Sequence, residues 1–224
     1  MRLAELKALA ASETRFAALL RRTGWRVENP LSGLAAAAVL RPRLTYKNLS
    51  AAYYQQLHDE DAGYLENNWL VPEIEAILSK KPDVVVEIGC GNGAFSKEIA
   101  QSVCEVHAVD WALSPNFADR PDNVFFHSAD LTKDPIPKGS IACSSDVLEH
   151  FSPSDLPRVI AKCVTSSPLQ YHVIACYDDG HSHLTVMPPG AWLAHFWRYC
   201  PSARIERVEC RRSNPDQVIC VISN

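Results

Sequence analysis

The stretch that decides the fold runs from Val84 to Gly93 and reads Val-Val-Val-Glu-Ile-Gly-Cys-Gly-Asn-Gly. Three β-branched residues predict a strand. Glycine at every second position after it predicts a turn in which the backbone takes positive φ. The sequence becomes compatible with a helix from Ala94. A strand, a glycine-rich turn and a helix in this order are typical of nucleotide-binding sheets, because the helix N-terminus offers free N–H groups to a ligand.

Strands and helices alternate beyond this stretch. Strands are predicted at 84–88, 104–109, 123–127, 140–145, 170–176, 203–210 and 216–223. Helices are predicted at 93–102, 153–165 and 189–199, with a short one ending at Phe151. This alternation predicts an α/β fold, a doubly wound, mostly parallel seven-stranded sheet with helices on both faces. About five residues join the last two strands, too few for a parallel crossover, so the last strand is expected to be antiparallel.

The first 82 residues show helical patterns before any predicted strand. The expected helices cover 2–23, 31–40, about 49–59 and about 66–80. We therefore expect two parts, an N-terminal helical extension or lid at 1–82 and the sheet domain at 83–224.

Carboxylates stand at corresponding positions of the first four strands of the sheet. Glu87 precedes the glycines, and Asp110, Asp130 and Asp146 end the next three strands. The carboxyl ends of parallel strands form one edge, where such sheets bind their ligands. Four acids at this edge would repel one another, so the pattern predicts a ligand that is cationic or rich in hydrogen-bond donors.

Four motifs together resemble the class I S-adenosylmethionine-dependent methyltransferases, and the likeness extends over roughly residues 83–224. The motifs are Glu87-Ile-Gly-Cys-Gly-Asn-Gly93, Ala108-Val-Asp-Trp111, His127-Ser-Ala-Asp-Leu131 and Ser145-Asp-Val-Leu-Glu-His-Phe151.

The resemblance implies S-adenosylmethionine as the cofactor and assigns its contacts. Glu87, Gly89, Cys90, Gly91 and Gly93 would lie at its methionine part, Asp110 at its ribose, Trp111, Asp130 and Leu131 at its adenine, and Asp146 near its sulfonium. A dinucleotide site stays open as an alternative, because Gly89, Gly91 and Ala94 also satisfy its spacing. Glu87 counts against it, since this acid would face a pyrophosphate. Trp111 could instead be a core residue that does not contact the cofactor.

Two clusters could serve the methyl acceptor. Glu149 and His150 follow the fourth strand, and Asp179, His181 and His183 follow the fifth. Histidine suits base catalysis near neutral pH, so the three histidines are the candidate catalytic residues. Glu149 and Asp179, with Tyr53 and Tyr54 of the extension, are candidate substrate-binding residues.

Other interpretations of these residues stay open. His150 could cap or pack a helix, and the 178–185 loop could simply be solvated. Aspartate and histidine at close spacing could also ligate a divalent ion, although we assign no metal site. The two tyrosines could only pack the extension onto the sheet.

Composition limits the class of protein. The net charge of −4 gives no basic footprint, so no nucleic-acid partner is expected. Basic pairs such as Arg211-Arg212 are interpreted as solvated or as charges at helix ends. The eight cysteines form no C-x-x-C pair, which fits a reducing cytosol. Glu5 and Glu13 interrupt the N-terminal apolar stretch, so no signal peptide is expected. With no 18-residue apolar run, no membrane span is expected either.

We thus predict a cytoplasmic methyltransferase for a small-molecule acceptor. The apolar stripe of its first helix could dock on the domain or on a second subunit, which would make a homodimer. A sugar or natural-product hydroxyl is the favoured acceptor. The alternatives are methylation of nitrogen, of a protein or of tRNA, and a methyltransferase-like scaffold without activity.

Overall fold

The computed structural model describes residues 25–27, 40–42 and 50–224 of the 224. The chain divides into two compact units, Met1–Leu49 and Ser50–Asn224. Predicted helix 2–23 and residues 31–39 of the next one lie outside the described residues. The division predicted at residue 83 stays a prediction.

The first unit contains a short antiparallel ladder. Strand β1 (Trp25–Val27) pairs with β2 (Leu40–Pro42). The prediction that no strand precedes residue 83 is therefore wrong, as is the helix predicted to extend through Leu40. Pro42 disfavours helical backbone in the residue before it, and Trp25 and Val27 favour strands.

The second unit begins with helices. They are α1 (Ala51–Glu60), α2 (Ala62–Glu66), a 3₁₀ turn (Val71–Glu73) and α3 (Ile74–Leu78). The predicted continuous helix 66–80 is interrupted. The Asn68 side chain accepts hydrogen bonds from the N–H groups of Leu70 and Val71. Pro72, which has no N–H, fits only at the start of the next turn.

Seven strands form the main sheet. They are β3 (Val84–Ile88), β4 (Glu105–Asp110), β5 (Val124–Ser128), β6 (Ile141–Ser145), β7 (Leu169–Ala175), β8 (Arg204–Cys210) and β9 (Val218–Ser223). Their order is β5-β4-β3-β6-β7-β9-β8, and β9 runs antiparallel to both its neighbours. The predicted seven-stranded, mostly parallel sheet with an antiparallel last strand is confirmed.

The helices that follow β3 are α4 (Ala94–Ile99), α5 (Leu156–Ser166) and α6 (Pro189–Trp197). Single 3₁₀ turns lie at Pro115–Phe117, Leu148–His150 and Arg211–Ser213.

Both faces of the sheet are buried. Val86 packs in a cluster with Ile160 and Trp192, whereas its neighbour Val85 packs on the opposite face with Ile77 and Phe95. Each such side chain contributes roughly 1.5–3 kcal/mol by leaving water. Strand order reverses between β3 and β6, and this switch point is where doubly wound sheets open a ligand crevice.

None of the helices in the described part of the chain combines the length and the apolar character needed to cross a membrane.

Candidate active site at the carboxyl edge of the sheet

The three glycines of the turn after β3 differ in what surrounds them. All have positive φ, at 69° for Gly89, 52° for Gly91 and 74° for Gly93. A Cβ at Gly89 would collide with Val147, and one at Gly93 with Phe117. A Cβ at Gly91 would meet no other described atom within 4 Å. The outer glycines therefore permit close packing, and the middle one borders open space.

The turn is anchored by a residue that the sequence interpretation missed. Asn92 is buried, and its side-chain amide donates to the carbonyls of Leu65 (2.8 Å) and Asn67 (3.1 Å). Its Oδ1 accepts from the N–H of Ala94. An asparagine at the start of a helix was the available signal. Cys90 packs in the core, so only its backbone could reach a cofactor.

Glu87 lies beneath the turn rather than at its surface. Its side chain is buried and accepts a hydrogen bond from the Ser96 hydroxyl of α4. Burial raises the pKa of Glu87 to about 8. The acid therefore keeps its proton near neutral pH, and a nearby cation would favour its ionisation.

Asp110 joins the end of β4 to the glycine turn. Its Oδ2 accepts from the N–H of Gly91 at 2.9 Å, and its Oδ1 accepts from the N–H groups of Trp111 (2.7 Å) and Ala112 (3.3 Å). Burial raises the pKa of Asp110 despite these bonds. The Trp111 ring lies 6.1 Å from that of Tyr54 in an edge-on arrangement. Asp110 is thus held in one orientation beside the glycine turn.

The third strand delivers a carboxylate that is already engaged. Asp130 accepts from the backbone N–H and hydroxyl of Thr132, and from the Lys133 ammonium at 2.8 Å. These bonds outweigh burial and lower the pKa of Asp130. Leu131 packs in the core with 3% exposure. Their contacts to adenine stay predictions.

Asp146 is paired with an arginine from the far end of the chain. Asp146 has a φ of 53°. The Arg211 guanidinium binds both its carboxylate oxygens, with Nη2 to Oδ1 at 3.0 Å and Nη1 to Oδ2 at 2.9 Å. Arg211 also donates to the Tyr177 hydroxyl and lies 4.3 Å from the centre of the Trp69 ring. The prediction of a solvated Arg211 is therefore wrong, because this side chain is buried as the partner of Asp146.

These pairings also change the expected charge at this edge of the sheet. Lys133 and Arg211 already compensate two of the four acids, and Glu87 holds its proton. Repulsion among the four carboxylates therefore does not by itself require a cationic ligand.

Glu149 lies in the 3₁₀ turn after β6 and has no exposed surface. Its Oε1 accepts from the N–H of Ala175 at 3.1 Å, and its backbone carbonyl accepts from the N–H groups of Leu184 and Thr185. Within residues 50–224, no hydrogen-bond donor reaches its Oε2. Burial, followed by the Asp146 charge, raises the pKa of Glu149 well above its usual range.

Two of the predicted histidines lie beside Glu149. His183 is buried, its Nδ1 is 2.6 Å from the carbonyl of Tyr177, and its Nε2 is 3.9 Å from Glu149 Oε1. His150 places its Nδ1 3.2 Å from the carbonyl of Ser182. Burial, and then the neighbouring His183, lowers the pKa of His150 to about 4. The structure therefore brings together Glu149, His150 and His183, named below the acceptor cluster.

Asp179 and His181 lie in the same loop as His183. Asp179 borders the acceptor cluster, because its Oδ2 is 3.9 Å from His183 Nε2. Asp179 accepts from the N–H groups of His181, Ser182 and His183, and from the Ser182 hydroxyl. These bonds outweigh burial and lower the pKa of Asp179. The carboxylate of Asp179 therefore shapes its own loop. His181 is exposed, and its Nε2 shares a hydrogen bond with the Tyr53 hydroxyl.

Helix α1 contacts both the loop after β7, through Tyr53 and His181, and the segment after β4, through Gln55 and Leu113. Besides Tyr53, its Gln55 exchanges two hydrogen bonds of 3.0 Å with the backbone of Leu113. Burial, then Asp110, raises the pKa of Tyr54. His58 is buried, and neither ring nitrogen has a partner in the described part of the chain. The two tyrosines could be selected from the sequence, whereas Gln55 and His58 belong to no motif and could not.

Comparisons with known proteins give one family and one fold. A family model described as a methyltransferase domain matches residues 63–202. A structure of Burkholderia thailandensis 1,6-didemethyltoxoflavin-N1-methyltransferase superposes with a TM-score of 0.62 at 16% identity, covering 82% of this chain and 90% of its own. No curated protein matches the chain.

Two further structures share the fold. N-methyltransferase NodS from Bradyrhizobium japonicum WM9 gives a TM-score of 0.56 at 14% identity, covering 80% of this chain and 98% of its own. Magnesium protoporphyrin IX methyltransferase from Synechocystis PCC 6803 gives 0.56 at 14% identity, covering 79% and 99%.

Proposed function

We propose a function for this chain from one premise: it belongs to the methyltransferase-domain family. We infer that it takes a methyl group from S-adenosylmethionine and transfers it to a hydroxyl oxygen of a small molecule. The three similar structures were solved with S-adenosylhomocysteine bound. Two of their names give a small-molecule acceptor, 1,6-didemethyltoxoflavin and magnesium protoporphyrin IX.

The described residues fit this cofactor. S-adenosylmethionine, when bound, supplies an electrophilic methyl group on a sulfonium. Gly91 borders the open space beside the turn. Asp110 is oriented by three backbone N–H groups, and its carboxylate keeps lone pairs for ribose hydroxyls. Tyr54 and Trp111 offer aromatic surface next to Asp110.

The acceptor cluster is the observation that favours oxygen. A neutral hydroxyl must lose its proton when it is methylated, and enzymes assist this with a base or a Lewis acid. Glu149 and His150 directly after β6, and His183 in the loop after β7, bring a carboxyl group and two imidazoles together, and Asp146 lies near the first two. A neutral amine already carries a nucleophilic lone pair and needs no such group.

Cofactor binding is tested by calorimetric titration with S-adenosylmethionine. We expect Asp110→Ala to weaken binding at least about tenfold, which corresponds to the loss of one charge-assisted hydrogen bond. The control Asp122→Ala removes an exposed acid from the loop before β5 and should bind like the wild type. A wild-type protein that binds nothing at millimolar cofactor would be an inactive scaffold.

The methylated atom is tested with cofactor carrying an isotope-labelled methyl group. The protein is offered matched pairs of small alcohols, phenols, sugars and amines, and NMR of the labelled carbon distinguishes O-methyl from N-methyl products. Products methylated only at nitrogen would replace the proposal with N-methylation, the activity that the first two similar structures carry in their names.

A further inference from the structure

We propose that the acceptor cluster is a binding site for one divalent transition-metal ion. Glu149 would supply a carboxylate oxygen, and His150 and His183 would each supply an imidazole nitrogen. The role of the ion rests on the proposed function, since the ion would bind the acceptor hydroxyl. The binding site itself depends only on the geometry of the three side chains.

The three potential ligand atoms converge on one point. They all lie within 4.8 Å of one another, and the His150 and His183 rings are 5.0 Å apart at a steep angle. Glu149 and the loop that carries His183 are tied together, because the N–H groups of Leu184 (2.8 Å) and Thr185 (3.0 Å) donate to the Glu149 carbonyl. Small side-chain rotations would bring the three atoms to bonding distance.

Both rings have a backbone carbonyl beside their Nδ1, the kind of partner that metal-binding histidines commonly have. The Nδ1 of His150 faces the carbonyl of Ser182, and the Nδ1 of His183 faces the carbonyl of Tyr177. A carbonyl can only accept, so each Nδ1 carries the proton and each Nε2 carries the lone pair. Such backbone partners fix the tautomer and the ring plane of metal-ligating imidazoles.

Glu149 provides an independent indication of a ligand. Its side chain is completely buried, and no hydrogen-bond donor among residues 50–224 reaches its Oε2. A buried carboxyl oxygen that no donor reaches is costly. A cation at the cluster would satisfy this oxygen.

The donor set indicates the class of ion. Two imidazoles and one carboxylate suit Zn²⁺, Co²⁺ or Fe²⁺, whereas Mg²⁺ and Ca²⁺ prefer sets of oxygens. Three protein ligands also leave room for an outside ligand. A bound hydroxyl would lose its proton to water and keep the O–H electron pair. The oxygen would then use this pair to bond to the methyl carbon. The C–S bond breaks at the same time, and the C–S electron pair passes to sulfur.

A second cluster of the same composition provides the control. On β4 and β5, His107 Nδ1 lies 2.9 Å from His127 Nε2, and His107 Nε2 lies 2.7 Å from Glu105 Oε1. These three side chains follow one another along a chain of contacts from Glu105 through His107 to His127, and their ligand atoms are not among the groups in the described residues that converge on one point. We therefore expect no metal there, although the residue types match.

The test is a cobalt titration of the full-length, tag-free protein after chelator treatment. We expect one Co²⁺ per chain by elemental analysis, with visible ligand-field absorption that Zn²⁺ abolishes. Glu149→Gln and His150→Ala should each weaken Co²⁺ binding by at least about 100-fold, because each removes a ligand. His127→Ala should bind as the wild type does. Far-UV circular dichroism identifies variants that fail to fold.

Several outcomes would overturn the site. The first is that the folded wild type binds no Co²⁺ below millimolar concentration. The second is that the folded His150→Ala variant binds Co²⁺ as the wild type does. The third is that His127→Ala loses Co²⁺ binding. Failure of the function is distinguishable. Stoichiometric Co²⁺ binding with methyl transfer only to nitrogen keeps the site and refutes O-methylation. Undiminished O-methylation by metal-free protein refutes the metal's role and leaves the proton to a histidine.

Discussion

The two sides of the candidate active site are built differently. On the cofactor side, the bonds that fix the site join residues close in sequence, such as Ser96 to Glu87, 9 residues apart, and Gly91 to Asp110, 19 apart. The acceptor side comprises the acceptor cluster and the neighbouring end of β6 at Asp146, where cofactor and acceptor would meet. There, Arg211 reaches Asp146 across 65 residues, and His150 meets Ser182 across 32.

This difference governs what each side shows in the sequence. A strand, its turn and the next strand bring their own site residues together, so the cofactor side has a recognisable motif. The acceptor side depends on how the β8–β9 connection and the 178–185 loop fold back onto the end of β6. Its residues can be named singly from sequence, but their partners are set by tertiary structure.

The largest loss of stability at a fixed, neutral pH is expected where the acceptor side depends on a distant partner. Arg211→Ala leaves the Asp146 carboxylate without its counter-ion in a mostly buried position. Removing one member of a buried ion pair costs about 3 kcal/mol. Urea unfolding monitored by tryptophan fluorescence measures the loss.

The neighbouring arginine is the matched control. Arg212 is exposed and lies 4.9 Å from the centre of the same Trp69 ring. Arg212→Ala should cost under about 1 kcal/mol, the value of an exposed cation–π contact. Equal losses from the two substitutions would show that Asp146 does not need its ion pair.

On the cofactor side, the glycines should separate stability from binding. Gly93→Ala adds a strained left-handed residue and a clash with Phe117, so about 2 kcal/mol of stability should be lost. Gly91→Ala adds the strain but not the clash, and it fills the open space instead. Unfolding and calorimetry should therefore show the larger stability loss for Gly93→Ala and the larger loss of cofactor affinity for Gly91→Ala. The reverse ranking would refute the division of roles.

A pH titration tests the buried acid of the cofactor side. The pKa of Glu87 is about 8 in the native protein and about 4.3 when unfolded. Between these values the native state holds the extra proton, so this group makes stability fall as pH rises, by at most about 1.4 kcal/mol per pH unit. Relative to Glu87→Gln, which cannot ionise, the wild type should become steadily less stable across this window in urea unfolding.

The control for this titration is Glu98→Gln, an exposed position on the same helix as Ser96. The difference in unfolding free energy between Glu98→Gln and the wild type should stay constant with pH, whereas the difference between Glu87→Gln and the wild type should change. A pH-independent difference for Glu87→Gln would mean that Glu87 is ionised in the native protein. Saturating S-adenosylmethionine should flatten the wild-type slope, because a nearby cation favours the carboxylate.

Local sequence predicted the sheet well for a physical reason. The β3 boundaries were correct because a β-branched run and a glycine turn define both ends within ten residues. The helix predicted at 66–80 was wrong because Asn68 caps the chain in mid-helix, which periodicity does not detect.

The candidate site was predictable to the same extent. Asp110 could be located from its strand, and the structure adds which N–H groups orient it. Glu149, His150 and His183 were selected singly, but their meeting depends on a loop that returns over about 30 residues, as the His150–Ser182 separation shows. The role of Arg211 had no local signal, because its partner lies on a different strand end.

The smallest effect is expected at the helix that touches both sides. Tyr53→Phe removes the bond to His181 and should cost under about 1 kcal/mol, since the bond is exposed. Amide hydrogen exchange should nonetheless quicken at Ser182 and His183, whose N–H groups bond Asp179 in the same loop. Gln55→Ala should instead quicken exchange at Leu113, whose N–H donates to Gln55. If either variant quickened exchange equally at Leu113 and at Ser182 and His183, the cofactor side and the acceptor side would open as one cooperative unit.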